Sequence, residues 1–449
     1  MAYDLRAFPQ RYPLSLVVDF ARGLLPAVVQ MDRVGGDLVS SASRVPALPG
    51  VHLVRHPDLV REVLVDRNAD LHKARGLRLA RTVLGSGLLT AETPQHTRQR
   101  RLVLPAFHHR RLSGYGRTMV RLTLAEADTW ADGGVLDATA ATHRLTLGIA
   151  GETLFGADVG AQTREISAAL DAAFAGFDAS QFPGADKLTW LPTTARRRTR
   201  RAVAVLDRIV YGLLNARRGA APGDDLLQML LDAEDADTGE RMSDREVRDE
   251  ALTLLLAGHE TTAVALAWTL GLLAEHPDAQ AAVYTEVASL GRAPAFGDLR
   301  GGLPLTRAAV SESMRLRPPA WAFAREAWRD TAIGGRPVER GDTLLVAPYC
   351  LHRDARYWPD AARFDLGRWT APASRPKFAY LPFSAGQRGC IGEPFAWAEL
   401  VLSLATLLRR WRIERVGPLP GLDGTVTLRP SRPVRIRTVR RDAAAASRV

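Results

Sequence analysis

Apolar and polar residues follow two different periods along the chain. Over residues 57–286 the apolar positions recur at helical spacing, and proline or glycine marks the breaks between segments. Residues 37–41 and 51–55 are β-rich and flank turn residues, which predicts a small sheet near the N-terminus. A further helix is predicted at about 394–410, and short strands are predicted within 425–440. The pattern predicts a mainly α fold with small β-sheets, of the α+β class.

The chain has no repeat or linker that would separate domains. Its 449 residues would allow two or three average domains, but one large fold is also compatible with that length. We therefore predict a single domain over residues 1–440. The alanine-rich segment 441–449 is predicted to be a disordered tail.

One apolar stretch, residues 251–274, is long enough to cross a membrane. His259 and Glu260 stand at its centre, where ionisable side chains would be costly in lipid. A helix that is apolar on all sides also belongs inside a large protein, so we predict a buried core helix and no transmembrane segment. The apolar stretch 13–29 is interrupted by charge at Asp19, which leaves open only weak interfacial contact.

Composition narrows the class of protein. Two cysteines, Cys350 and Cys390, exclude a disulfide framework and fit a reducing compartment, which predicts a cytoplasmic location. The net charge of +11 comes mostly from arginine and raises the question of nucleic-acid binding. The sequence has no recognised nucleic-acid module or basic stripe interleaved with aromatics, so we predict no nucleic-acid partner. Solvated helix faces, or a basic face for an acidic protein partner, explain the arginines instead.

The most informative segment is the glycine-rich loop FSAGQRGCIGEP at 383–394. Cys390 directly precedes a predicted helix start, so backbone amides and the helix dipole favour its thiolate over its thiol. The glycines let the backbone approach a flat ligand, and Arg388 places a cation suited to a carboxylate two residues from the sulfur. A single cysteine without further ligands nearby is unlike a zinc site but compatible with haem iron. A buried, inert cysteine is the alternative for a lone residue of this type.

The apolar helix has a polar interruption, AGHET at 257–261. Gly258 opens space beside the helix, and Thr261 can donate to the carbonyl of Ala257, which weakens and bends the helix. A groove with a hydroxyl and a carboxylate offers a short proton donor and a proton route from solvent, as the protonation of dioxygen requires. For this motif alone, a glycine-tolerant helix with a satisfied threonine is the better interpretation.

Taken together, the two segments resemble the haem-binding signature and the oxygen-activation helix of the cytochrome P-450 superfamily. Cys390 matches the proximal iron ligand, and the 257–261 run matches the family pattern Ala/Gly-Gly-x-Glu/Asp-Thr. The resemblance implies the cytochrome P-450 fold, with haem b between this helix and the helix after the Cys loop. It also implies dioxygen as co-substrate and Glu260 and Thr261 as catalytic residues.

Two further patterns fit the same family. Glu312 and Arg315 lie three apart on one helical face, which by itself describes an exposed pair of little energetic weight. Followed by LRPP at 316–319, they resemble the family's Glu-x-x-Arg helix, and Arg368 matches the third member of its buried structural triad.

The family also implies a set of cofactor-binding residues. His96 and Arg100 share one face of a predicted helix, and bidentate arginine is well suited to the two haem propionates. Many relatives carry tryptophan where His96 stands, although histidine is also usual in soluble bacterial members. The cofactor-binding residues implied by the resemblance are His96, Arg100, Ala257, Arg325, Phe383, Arg388, Cys390 and Gly392.

The sequence contains no dinucleotide-binding GxGxxG unit and no iron–sulfur cysteine cluster. The resemblance therefore implies separate electron donors, a ferredoxin and a ferredoxin reductase, and we expect a monomer. The leading function is a haem-thiolate monooxygenase. A peroxide-driven or redox-neutral enzyme of the same fold is the first alternative, which Glu260 and Thr261 argue against. A haem-based sensor or carrier is the second, although sensors usually have histidine ligation and an output domain.

The substrate is predicted only as a chemical class. An apolar pocket favours an apolar small molecule. The arginine- and alanine-rich composition looks like an actinobacterial oxidase of secondary metabolism, such as antibiotic biosynthesis, so we predict a terpenoid resembling the cyclic sesquiterpene pentalenene. Fatty acids and polyketides are the rival classes. The predicted pocket residues are Leu88, Leu89, Phe174, Phe177, Trp321 and Phe323.

Overall fold

The computed structural model describes residues 2–7, 23–41, 49–156, 165–166, 168–169, 172, 193–219, 223, 225–235, 237–371 and 375–441. The predicted tail lies outside these residues except for Arg441. The helices, in chain order, are α1 (Leu24–Arg33), α2 (Pro57–Arg61), α3 (Arg75–Leu79), α4 (Arg81–Leu84), α5 (Gln95–Val103), α6 (His109–Asp128), α7 (Ala138–Phe155), α8 (Thr194–Arg218), α9 (Leu226–Asp232), α10 (Asp244–Glu275), α11 (Pro277–Ser289), α12 (Pro304–Leu316), α13 (Pro348–Leu351), α14 (Gly367–Thr370) and α15 (Glu393–Arg410).

The strands are short and lie mostly towards the two ends of the chain. A π-helical turn, Glu62–Asp66, continues α2, and 3₁₀ turns occupy Leu104–Phe107, Phe296–Arg300 and Gly386–Arg388. The strands are β1 (Leu5–Ala7), β2 (Leu38–Ser41), β3 (Val51–Val54), β4 (Leu71–Lys73), β5 (Val135–Asp137), β6 (Phe323–Ala327), β7 (Thr331–Ile333), β8 (Arg336–Val338), β9 (Thr343–Val346), β10 (Trp411–Arg415), β11 (Leu422–Gly424), β12 (Leu428–Pro430) and β13 (Arg435–Arg440). The structure confirms the predicted mainly α fold with small sheets.

The largest sheet has six strands in the order β1-β2-β3-β9-β6-β4. β2 and β3, the two strands predicted near the N-terminus, pair antiparallel with Val39 opposite Leu53. Alternate side chains of β9 enter different hydrophobic clusters, Val346 on one face and Leu345 on the other. This two-residue period shows that both faces of the sheet are covered. The smaller sheets are β10-β13-β5, β11-β12 and β7-β8.

The edge strand β4 pairs antiparallel with β6 in a register that matters for the site. Leu71 lies opposite Ala327, and Lys73 lies opposite Arg325. Residues directly opposite each other in such a pair project from the same face, and like charges in this position repel. The sheet therefore places two cations side by side, and both are buried.

Helix α10 forms the centre of the helical part and packs against α7, α12 and α15. It begins seven residues before the predicted stretch because Ser243 and Glu246 form a capping box. Among the described residues α10 alone is long and apolar enough to cross a membrane, yet 83% of its most apolar window is buried inside the protein. It is a core helix, as predicted.

The three residues of the predicted triad, Glu312, Arg315 and Arg368, lie together. Arg315 donates two hydrogen bonds of 2.8 Å to the two carboxylate oxygens of Glu312, and neither side chain is exposed. Arg368 lies 3.4 Å from the same carboxylate. The other donors of Arg315 reach the carbonyls of His352, Ala361 and Arg363 at 2.7–3.0 Å. The pair thus fixes the irregular segment that leads to the Cys loop against α12.

We expect Arg315→Met to destabilise the protein by about 3–5 kcal/mol, because the buried carboxylate of Glu312 would lose its bidentate partner. The matched change is Arg412→Met, which removes a pair with Glu414 whose side chains are 52% and 37% exposed. That change should cost about 1 kcal/mol or less. Urea unfolding followed by circular dichroism measures both, and equal losses would refute a structural role for the buried pair.

Candidate active site

The cysteine loop is shaped by one glycine that nothing larger can replace. Gly386 has a φ of +73°, and a Cβ there would lie 2.2 Å from the carbonyl oxygen of Leu64. The loop therefore rests directly on the π-helical turn after α2. At its other end, the Cys390 amide donates to the carbonyl of Phe383 at 2.9 Å, which closes the loop in front of α15.

Cys390 lies at the N-terminal end of α15, and the amides of Gly392 and Glu393 donate to its sulfur. Burial nevertheless raises the pKa of the Cys390 thiol to about 11, an effect larger than the lowering by these amides. The predicted amide donors are therefore present, and they act in favour of the thiolate. A coordinated metal ion deprotonates a thiol outright. The residue is nevertheless accessible to solvent, so it is not enclosed by packed core on all sides.

Helix α10 also has one face that is accessible to solvent. Residues 251–256 and 262–274 are all buried, whereas Ala257 is exposed and Gly258 and Thr261 are partly exposed. A Cβ on Gly258 would meet nothing closer than 4.0 Å, so the glycine leaves space as predicted. The Thr261 hydroxyl donates to the carbonyl of Ala257 at 2.6 Å. The AGHET run is thus where the core helix turns a polar face towards open space.

Glu260 lies beside this face and is buried. Its Oε1 accepts a hydrogen bond of 3.1 Å from the hydroxyl of Thr427, and its Oε2 lies 3.7 Å from Nδ1 of His143 on α7. Burial lowers the pKa of the neighbouring His259 to about 3, so that ring is neutral. Neither Thr427 nor His143 was found from the sequence, since each lies more than a hundred residues from Glu260 and carries no local motif.

The predicted propionate-binding residues form a cationic cluster near the cysteine loop. His96, Arg325 and Arg388 are all buried or nearly so, and Arg100 donates to the carbonyl of Gly389 at 2.8 Å. Burial and the neighbouring cations lower the pKa of Arg325 to about 10 and that of His96 to about 3. His96 is therefore neutral and can contribute as a hydrogen-bonding group.

Lys73 belongs to this cluster and was missed in the sequence. Its ammonium donates to the carbonyls of Leu88 and Ala91 at 2.8 and 2.6 Å. Burial, with Arg388 as the next cause, lowers the pKa of Lys73 to about 7. A single lysine in a three-residue strand belongs to no sequence motif. Its place in the cluster becomes visible only through the pairing of Lys73 with Arg325 in the sheet.

The cluster is short of negative charge. Arg388 contacts Glu92 at 2.7 Å, yet its Nε and Nη1 are buried without a hydrogen-bond partner among the described residues. Arg325 donates a hydrogen bond to the carbonyl of the adjacent Ala324. Buried cations require anions or acceptors, so this cluster and one accessible cysteine sulfur fit a flat ligand with two carboxylates and a metal centre. The residues present fit haem.

Comparison with known proteins agrees with this geometry. A sequence model of the cytochrome P-450 family matches residues 49–437. The chain belongs to the cytochrome P-450 family. It is 38% identical over 395 residues to cyclooctatin synthase of Streptomyces melanosporofaciens, an alignment that covers 86% of this chain and 84% of that protein.

Two further relatives of this cytochrome P-450 have informative names. Cyclooctat-9-en-7-ol 5-monooxygenase of Streptomyces melanosporofaciens is 36% identical, with 82% of this chain and 81% of that protein aligned. Pentalenene oxygenase of Streptomyces avermitilis is 34% identical, with 80% of each chain aligned. The family establishes haem-thiolate ligation and the use of dioxygen, so this protein is an oxidoreductase that incorporates oxygen. Members of the family in bacteria commonly receive electrons from redox partners.

The remaining predicted residues of the cytochrome P-450 site divide into four groups, of which Trp321 and Phe323 are the last. Phe383 and Trp397 pack edge to face, with their ring centroids 5.6 Å apart. A Cβ on Gly392 would lie 4.0 Å from the Cys390 sulfur. Leu88 and Leu89 lie in the hydrophobic cluster that also contains α10, and the Leu88 amide donates to Glu250 at 3.0 Å. Phe174 and Phe177 lie outside the described residues.

Trp321, a predicted pocket residue, lies among the apolar residues of the sheet. Its side chain is 2% exposed, belongs to the core cluster of the six-stranded sheet, and donates to the carbonyl of Thr425 at 3.1 Å. Phe323 packs against the cluster on the opposite face of that sheet and is partly buried. Trp321 and Phe323 therefore contact different hydrophobic clusters, one on each face of the sheet.

We expect Gly386→Ala to lower haem content strongly, because the new Cβ would collide with the Leu64 carbonyl and displace the cysteine loop. Gly291→Ala is the matched control, since Gly291 also has a positive φ, +64°, but no heavy atom lies within 4 Å of its Cβ position. That change should cost only the backbone strain of about 1 kcal/mol. Haem content from the absorbance ratio of Soret to protein distinguishes them, and equal retention of haem in both variants would contradict the loop contact.

Proposed function

We propose that this cytochrome P-450 is a haem b monooxygenase acting on an apolar terpenoid, with electrons from a ferredoxin and ferredoxin reductase in the cytoplasm. One atom of dioxygen would enter a C–H or C=C bond, and the other would leave as water at the expense of two electrons and two protons. The observation that carries this proposal is the face of α10, where Thr261 meets open space beside the buried carboxylate of Glu260.

Each predicted residue has a defined part in this proposal. Haem, when bound, supplies the activation of dioxygen. Cys390 would ligate its iron, and Arg100, Arg325 and Arg388, with His96 and Lys73, would hold its two carboxylates. The tight hydrogen bond to Ala257 fixes the Thr261 hydroxyl at the exposed helix face, where it can hold a proton at Oγ1.

Glu260 is suited to resupply that proton. It is buried, but its Oε2 lies 3.7 Å from His143, whose side chain is 26% exposed. An imidazole at this position can exchange protons with solvent on one side and with the carboxylate on the other. Thr427 holds the second oxygen of Glu260, which keeps the carboxylate oriented between His143 and the helix face.

A terpenoid is supported by the apolar residues beside α10 and by the relatives. Leu88 and Leu89 offer an apolar surface next to α10, and a largely apolar pocket selects apolar ligands. Two relatives are named for the oxidation of pentalenene and of cyclooctat-9-en-7-ol. A cyclic hydrocarbon of this kind offers no charge for recognition, so shape and apolar contact would determine its position.

The experiment that tests the substrate class is a binding titration of the holoenzyme against cyclic terpenes, fatty acids and macrolides, followed by the haem spin-state shift. Compounds that shift the spectrum are then incubated with spinach-type ferredoxin, its reductase and a nicotinamide reductant, and products are identified by mass spectrometry. We expect a product one oxygen heavier from a terpene. A shift and product only with fatty acids or macrolides would reject the terpenoid assignment.

We expect Thr261→Ala to retain haem and substrate binding but to lose coupling. Product formed per electron should fall by about 10²-fold, with the difference released as peroxide, because the proton donor at the helix face is gone. The matched control is Thr269→Ala on the same helix, whose hydroxyl donates to the carbonyl of Ala265 at 2.7 Å but is fully buried. That variant should stay coupled. A Thr261→Ala enzyme with unchanged product per electron would remove Thr261 from the mechanism and favour peroxide-driven chemistry.

A further inference from the structure

Three side chains with metal-binding atoms meet beside the active site. His143 on α7 and His259 and Glu260 on α10 each bring one ligand atom to within 4.8 Å of the others. The two imidazole rings pack edge to face with their centroids 5.1 Å apart. Nothing in the roles derived so far requires two histidines at this carboxylate.

We propose that His143, His259 and Glu260 form a binding site for a zinc ion. Two imidazole nitrogens and one carboxylate oxygen are a ligand set that zinc uses, with water in the fourth position. Harder cations such as Mg²⁺ and Ca²⁺ prefer sites made entirely of oxygen, so the two imidazoles favour zinc over them.

The hydrogen bonds around the cluster orient His259 for this task. Its Nε2 lies 3.2 Å from the carbonyl oxygen of His143, so Nε2 carries the proton of the neutral ring. Nδ1 is then the nitrogen with the free lone pair. It is buried and has no hydrogen-bond partner within the described part of the chain. A metal-binding histidine commonly donates its other ring N–H to a backbone carbonyl in this manner.

Glu260 is oriented in the same way. Thr427 donates to Oε1 at 3.1 Å and leaves Oε2 free, 3.7 Å from Nδ1 of His143. Carboxylate ligands are usually held by such a second hydrogen bond. The separation of 3.7 Å is close to that of two ligand atoms on one tetrahedral zinc, given metal–ligand distances of about 2.0–2.2 Å. His143 is partly exposed and gives the ion access from solvent.

Zinc at this site would occupy the oxygen of Glu260 that faces the proposed proton route. This consequence rests on the proposed function, whereas zinc binding itself does not. The site would therefore act as an inhibitory metal site: bound zinc should slow turnover while leaving haem and substrate binding intact.

The first test measures zinc binding to the purified holoenzyme by competition with a chromophoric zinc chelator. We expect one tight equivalent, weakened at least about tenfold in His143→Asn, since even the loss of an outer hydrogen bond costs metal sites about 10–100-fold. Thr427→Val should weaken binding within that range. His108→Asn is the matched control, because His108 is exposed and lies outside the cluster, and it should bind zinc as the wild type does.

The second test identifies the ligands by X-ray absorption at the zinc edge. We expect nitrogen and oxygen neighbours at about 2.0–2.1 Å and no sulfur at about 2.3 Å. Absence of a tight equivalent, a sulfur neighbour, or binding that persists unchanged in His143→Asn would each overturn the site. If zinc binds as proposed but turnover of a coupled substrate is unaffected, the metal site stands and the role of Glu260 in proton supply fails.

Discussion

The architecture depends on the placement of positive charge inside the protein. Lys73 comes from an edge strand, Arg325 from its neighbour and Arg388 from the cysteine loop, and Glu92 is the carboxylate that they share. In a medium of low dielectric such a group of cations is stable only when further anions complete it. The sheet, the cysteine loop and the segment 88–92 therefore meet at a cluster of uncompensated positive charge. The two carboxylates of haem would neutralise that charge. Cofactor binding and correct folding of this region thus depend on the same interaction.

Helix α10, in contrast to the cationic cluster, is positioned mainly by packing in the core. Most of it is buried, so its backbone and packing are determined by the core and not by the chemistry at its centre. Between Val247 and Ala274, the helix is exposed or partly exposed only at Ala257, Gly258 and Thr261. A rigid helix held on its other sides keeps that face in place, and a polar group there is oriented by the whole core. The carboxylate of Glu260 is held from a separate strand region through Thr427.

The sequence predicted the parts of the site that lie in one continuous segment. The cysteine loop, the AGHET run and the Glu312–Arg315 pair each lie within a few residues, so they could be compared with the motifs of a known family, and that resemblance implied their roles. Lys73 and His143 could not be found in this way, because each joins the site through pairing with a distant element. The amide donors to the Cys390 sulfur could be predicted from the local sequence, whereas the burial that raises the pKa of this thiol depends on the whole fold.

The pairing of β4 with β6 links the register of this sheet to cofactor binding. β4 is three residues long and lies at the edge of its sheet, a place where slippage by one position is otherwise easy. A register slipped by one residue would turn Lys73 and Leu71 together to the other face and put His72 on their side, so the mispaired sheet would lose both its apolar contact and its affinity for an anionic ligand. The cofactor would then bind poorly to the misfolded chain and well to the native one. Haem binding would therefore favour the native register of β4, the strand that contributes Lys73 to the site.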